Sequence, residues 1–118
     1  MTLESKTIWM NGAFVPYEKA AVHFLTPGLH YGIGVFEGIR CYETPEGPAV
    51  FRLREHLERF LRSAEILGFR ELPYSALDLT QAVEGTITRN DLGACYIRPL
   101  LYLSGGGWNL NLDGGTPS

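Results

Sequence analysis

The chain has 118 residues, 45% of them hydrophobic and 19% charged, with a formal net charge of −3, the composition of a folded domain with one core. No block of like charge marks a nucleic-acid or anionic-membrane surface, and no apolar run approaches the ~20 residues of a bilayer-spanning helix, so neither partner is expected. Met1 to Met10 lack the apolar core of a secretory signal. Cys41 and Cys95, far apart in sequence and each in an apolar stretch, read as buried free thiols of a reducing compartment, with the cytoplasm as the expected location.

Ile8-Trp9-Met10 and Ala13-Phe14-Val15 flank Asn11-Gly12 and predict a β-hairpin, because both turn positions must tolerate positive φ. Residues 16–34 carry the turn formers Pro16, Pro27, Gly28, Gly32 and Gly34 and read as mostly irregular. Val35 to Tyr42 reads as a strand. Phe36, Gly38, Arg40 and Tyr42 lie on one face, and Val35, Glu37, Ile39 and Cys41 on the other. Thr44 to Pro48 make a turn, and Ala49-Val50-Phe51 return as a second strand.

Leu53 to Leu67 predict a helix with Leu53, Leu57, Phe60, Leu61, Ala64 and Leu67 on its inner stripe, Glu55/Arg59 and Glu58/Arg62 as i,i+4 pairs, and Gly68 as its terminator. A second helix is expected from Ala76 to Arg89, capped by Ser75 with Asp78 three residues on, and burying Leu79, Ala82, Val83, Thr86 and Ile87. Ala94 to Leu103 form a long apolar strand interrupted by Arg98 and Pro99. The glycine-rich stretch after it reads as flexible. The pattern is α+β: a small two-layer domain, an antiparallel sheet with two helices, over residues 1–103, then a linker over 104–118.

Four features could carry chemistry. Gly34 to Gly38 miss the dinucleotide fingerprint, since position 37 is Glu, and no Gly-Lys-Ser/Thr follows. A glycine at 38 in a strand suggests close approach of a ligand or backbone, or simply a bulge. Arg59 lies on the flank of the first helix with His56 and Ser63, placed either to hold a phosphate or to pair with Glu55. Tyr96 and Arg98, two apart on a strand, share a face and could grip a carboxylate; alternatively Arg98 forms a structural ion pair with an acid such as Glu37. Trp108 and Leu110 in the glycine-rich segment read as contacts to another domain or subunit, or as a tail folded back on its own core. His23, His30 and His56 lack metal-ligand spacing, so no metal is expected and the three read as hydrogen-bonded structural residues.

His30-Tyr31-Gly32, Val35-Phe36-Glu37-Gly38-Ile39-Arg40-Cys41-Tyr42, Phe51-Arg52-Leu53-Arg54-Glu55-His56 with Arg59, and Tyr96-Ile97-Arg98-Pro99-Leu100 occur in this order along the chain. Together with the Ile8–Gly12 hairpin they resemble the fold-type-IV, or class IV, aminotransferases and, within them, the bacterial branched-chain enzymes. The resemblance implies pyridoxal 5′-phosphate as cofactor, branched-chain amino acids and glutamate/2-oxoglutarate as substrates, and a homodimer or higher homo-oligomer. It implies that Arg59 binds the cofactor phosphate, that Phe36 and Gly38 line the side-chain pocket, and that Tyr96 lies near the substrate α-carboxylate. Arg98 then takes the distal carboxylate of glutamate, and Tyr31 with the region of Trp108 and Leu110 reaches the neighbouring subunit's site. Thr26-Pro27-Gly28, Ile33 and the bulky Trp108 depart from the pattern.

The two lysines, Lys6 and Lys19, fall outside the matched motifs. The resemblance places the Schiff-base lysine in a C-terminal domain, so the chain reads as the N-terminal portion of such an enzyme, with no catalytic lysine of its own and no activity alone. A D-amino acid aminotransferase or aminodeoxychorismate lyase of the same fold is disfavoured by Phe36-Glu37-Gly38-Ile39-Arg40. A non-catalytic dimerising domain is the third reading. Arg59 and Arg98 are expected to flank one aromatic-walled hollow, half of a cofactor cleft.

Overall fold

In this computed structural model the described residues are 6–69, 71–104 and, for the backbone alone, 110–114. Strand β1 (Thr7–Met10) turns through Asn11-Gly12 into β2 (Ala13–Pro16), with φ of 52° and 92° at the two turn residues. These are the positive angles a two-residue hairpin needs, and Asn and Gly tolerate them. One 3-10 turn (Tyr17–Lys19) and a short helix α1 (Pro27–Tyr31) punctuate the irregular stretch that follows.

The expected strand Val35–Tyr42 is two strands, β3 (Gly34–Phe36) and β4 (Ile39–Thr44). β4 returns as β5 (Gly47–Val50), which starts two residues before the expected Ala49 and ends before Phe51. Its Pro48 is tolerated because β5 is the edge of its sheet. Helices α2 (Leu53–Leu67) and α3 (Ala76–Arg89) fall where the periodicity places them. Gly68 closes α2 at φ 110°, and Ser75 and Asp78 form a reciprocal capping box on α3. Beyond α3, the second apolar run also divides, into β6 (Cys95–Ile97) and β7 (Leu100–Leu103). Finally β8 (Leu110–Gly114) lies within the segment read as a linker; it inserts between β7 and β1. Its Leu-Asn-Leu-Asp alternation has the period of a strand, which the surrounding glycines obscure.

The strands form two antiparallel sheets, β2-β1-β8-β7-β3 and β5-β4-β6. Both interruptions have one origin. Phe36 pairs with Leu100 and Ile39 with Ile97, so the register runs unbroken through the gap, with Glu37 opposite Pro99 and Gly38 opposite Arg98. The Glu37 N–H still donates to the Pro99 carbonyl at 3.2 Å. Pro99 has no N–H to return, so the ladder fails there and the pair bends from one sheet into the other.

α2 and α3 pack together, α2 against β3 and α3 against β1. The core joins Leu57, Phe60 and Ala64 of α2 and Leu79, Ala82, Val83 and Ile87 of α3 to Trp9, Ile39, Cys41, Ile97, Leu101 and Leu103. Leu67, placed on the inner stripe by periodicity, is 42% exposed at the helix end. Cys41 and Cys95, distant in sequence, are cross-strand partners in the second sheet, and both are free thiols. Burial, with Cys41 beside it, pushes the Cys95 thiol up to about 11.

Candidate functional site

The outer face of the bent strand pair carries a cluster of aromatic and guanidinium groups. Alternation sends Glu37, Ile39 and Cys41 inward, while Phe36, Arg40 and Tyr42 stay exposed. Tyr96 lies opposite Arg40, and Arg98 opposite Gly38. Arg98 Nη2 donates to the Tyr96 hydroxyl at 2.7 Å, and its guanidinium carbon lies 4.2 Å from the Phe36 ring centroid and 5.3 Å from that of Tyr96. Tyr96 leans across Gly38: a Cβ built there would collide with the Tyr96 hydroxyl. Glycine at 38 therefore makes room for the phenol, the close approach that a strand glycine suggests. Phe36, Gly38, Tyr96 and Arg98 are thus brought together. Tyr96 is 42% and Phe36 58% exposed, so the cluster is open to a ligand.

Arg59 is held from the other face of the same strand. Its Nε and Nη2 each donate at 2.7 Å to the two carboxylate oxygens of Glu37, and His56 Nδ1 lies 2.9 Å from Glu37 Oε1. The i,i+4 pairs read for α2 are replaced: Arg59 goes to Glu37, Glu55 lies 3.7 Å from Arg52, and Glu58 pairs with Arg54 at 3.0 Å. A buried carboxylate outcompetes a solvated one for a guanidinium because water screens it less. Glu37 is not the partner of Arg98, because the ladder places the two on opposite faces. The Arg59 guanidinium holds the Glu37 carboxyl below its ordinary range; burial pushes the other way and loses, and His56 adds to the lowering. Glu37 in return raises Arg59.

Consecutive residues, Phe36 and Glu37, thus carry Arg98 and Arg59 on opposite faces. The single hollow expected between the two arginines is not what the structure shows: the strand through Phe36 and Glu37 stands between them. A cavity of about 360 Å³ beside Phe36 is lined by Gly28, Leu29, Ile33, Leu100 and Tyr102 among others, and by neither arginine. Tyr31 stands on α1, 75% exposed, its ring 6.4 Å from that of His30. Trp108 lies outside the described residues, and Leu110 is described only through its backbone, which pairs with Leu103.

From sequence, Glu37 is a candidate partner only for Arg98 and His56 only a structural residue; neither is assigned to the Arg59 site. The signal was present: a glutamate between Phe36 and Gly38, on the face of Ile39 and Cys41, needs a cation as much as Arg98 needs an anion.

A phosphate fits the donor set at Arg59. A guanidinium has five N–H donors, and Glu37 occupies one edge of it; the side chain is otherwise 67% exposed. Among the described residues no group of His, Cys, Asp and Glu is placed to hold a metal ion.

The fold and this pair of charged clusters define a class of protein. A family model described as amino-transferase class IV matches residues 34–117, and the chain belongs to that family. More particularly, it is 43% identical over 97% of its own length to the branched-chain-amino-acid aminotransferase of Escherichia coli K12, covering 37% of that protein. The crystal structure of an Escherichia coli branched-chain amino acid aminotransferase superposes with a TM-score of 0.87 at 39% identity, over 92% of this chain and 38% of the other. A branched-chain aminotransferase from the thermophilic archaeon Thermoproteus uzoniensis, solved with norvaline, superposes with a TM-score of 0.84 at 43% identity, over 92% of this chain and 39% of the other. The chain spans about a third of the length of the curated relatives it matches.

Proposed function

We propose that the full-length protein is a branched-chain amino acid aminotransferase. It moves the amino group of leucine, isoleucine or valine to 2-oxoglutarate on pyridoxal 5′-phosphate. The observation that carries this reading is the Phe36–Gly38–Tyr96–Arg98 cluster. An apolar wall beside a guanidinium suits a pocket that must accept an aliphatic side chain in one half-reaction and a carboxylate-bearing one in the other. The Arg98 fork, hydrogen-bonded to Tyr96 and stacked on Phe36, offers a planar grip to the distal carboxylate. It withdraws little apolar surface from a leucine side chain, because the Phe36 ring remains exposed. Arg59 holds the cofactor phosphate in this scheme. When bound, the cofactor supplies a carbonyl carbon that exchanges amino groups and a ring that takes up the α-carbon's electron pair.

The lysine for covalent attachment belongs to residues beyond these 118, and this segment alone is inactive in the proposal. We place the enzyme in the cytoplasm as a homodimer. Phe24, Leu25, Leu29 and Tyr31, each more than 60% exposed around α1, support an apolar contact with a second subunit. The test is a substrate panel on the full-length protein: leucine with 2-oxoglutarate is expected to give glutamate. Turnover of D-alanine without turnover of leucine would replace this reading with that of a D-amino acid aminotransferase.

A further inference from the structure

Glu37 occupies a position where Ile39 and Cys41, its neighbours on the same face, are apolar and fully buried. Its side chain is 5% exposed, yet its partner Arg59 is 67% exposed. A buried carboxylate weakens a fold unless every oxygen is satisfied, and an aliphatic residue would fill this place at less cost. Here Oε2 receives Arg59 Nε–H, while Oε1 receives Arg59 Nη2–H and faces His56 Nδ1. The strand fixes the carboxylate and His56 braces it, so the plane of the guanidinium is fixed as well. The Nε/Nη2 edge is taken. The end-on Nη1/Nη2 edge remains, aimed away from Glu37 and into solvent, with the fork spacing that matches two phosphate oxygens.

We propose that Glu37, braced by His56, is a positioning residue that presents the free edge of Arg59 to the cofactor phosphate. The proposal rests on the aminotransferase reading above. It opposes the simpler electrostatic view, in which Glu37 cancels the charge of Arg59 and weakens its hold on an anion. The two views differ in sign. If charge dominated, Glu37→Gln would tighten phosphate binding; if orientation dominates, it loosens it.

The test compares equilibrium binding of pyridoxal 5′-phosphate and of phosphate-free pyridoxal to the full-length protein, with folding of each variant checked by thermal melting. Glu37→Gln is expected to weaken binding of the phosphorylated ligand about tenfold, as the loss of one charge-assisted contact would. Binding of pyridoxal should stay within about twofold, because the change acts only through the phosphate. His56→Phe should weaken phosphate-dependent binding in the same sense, and His56→Asn, whose amide N–H can take the place of Nδ1–H, should restore it. Arg59→Ala should lose at least as much as Glu37→Gln. If Arg59→Ala weakens binding while Glu37→Gln leaves it unchanged or tighter, the positioning role is overturned and the phosphate site at Arg59 stands. If Arg59→Ala binds like the unaltered protein, the phosphate site itself is wrong and the proposal falls with it. Should Glu37→Gln fail to fold, the two His56 variants decide the question by the same comparison.

Discussion

A methyl group at position 38 would meet the end of the Tyr96 side chain rather than backbone. Tyr96 is partly exposed and can swing aside, so Gly38→Ala should cost less than about 1 kcal/mol of stability, below the ~1–3 kcal/mol of an overpacked core. The displaced phenol would surrender its bond to Arg98. On the proposed function, the KM of the full-length protein for 2-oxoglutarate should then rise about tenfold, the equivalent of one hydrogen bond to a charged group, while the melting temperature barely moves. An unchanged KM would separate Tyr96 from carboxylate recognition. Glu37 supports a prediction of a different kind. Its folded pKa lies below the ordinary 4.5 because Arg59 donates to it. A depressed carboxylate contributes stability above its unfolded pKa, and that contribution is lost as pH falls through the folded value. Denaturant titrations should therefore show Glu37→Gln less stable than the native sequence near neutral pH, with the gap narrowing below about pH 4. A gap that is constant down to about pH 2 would mean that the ion pair contributes nothing. These residues were unevenly legible. Tyr96 and Arg98 announce themselves as polar groups in an apolar strand, whereas Glu37 and Arg59 find each other only once the strand is laid against α2.

At the level of elements, the two helices were readable from the chain because their causes are local: each has an apolar stripe, α2 a terminating glycine and α3 a capping box. The first hairpin was readable for the same reason, its Asn11-Gly12 turn being local, but the later strands were not. What divides Val35–Tyr42 is a proline some sixty positions away in sequence, opposite Glu37 in the ladder. The cross-strand placement of Cys41 and Cys95 and the insertion of β8 are likewise facts of pairing, invisible until the partners are known. Asn90, just past α3, is another such case. Its Oδ1 accepts from the N–H groups of Lys6 and Thr7 at 2.7 and 3.0 Å, and its Nδ2 donates to the carbonyls of Thr7 and Thr86 at 3.0 and 2.8 Å. It fastens the start of β1 to the end of α3, and it is 5% exposed. Asn90→Ala should cost about 2–3 kcal/mol in chemical denaturation, since buried backbone groups lose their partners. Amide exchange in β1 should accelerate more than in α2. A loss under about 0.5 kcal/mol would show that water replaces the side chain fully.

At the scale of the whole molecule, the α+β architecture expected from the element pattern is the one observed, but the expected single sheet is a pair joined through one bent antiparallel ladder. Alternation gives Phe36 and Glu37 opposite surroundings, and so separates the Arg98 cluster from the Arg59 cluster by a single peptide step. Because Phe36–Leu100 and Ile39–Ile97 keep a common register across the corner, parity on one side dictates parity on the other. One residue added between Arg98 and Pro99 would turn Tyr96 into the interior and Ile97 out to water, and the variant should not fold cooperatively. Restoring both pairing and facing takes two residues in each strand, so two between Glu37 and Gly38 with two between Arg98 and Pro99 should rescue a soluble, melting fold. Sequences that drift by insertion at this corner would thus have to change length in both strands together, by an even number of residues in each, or in neither.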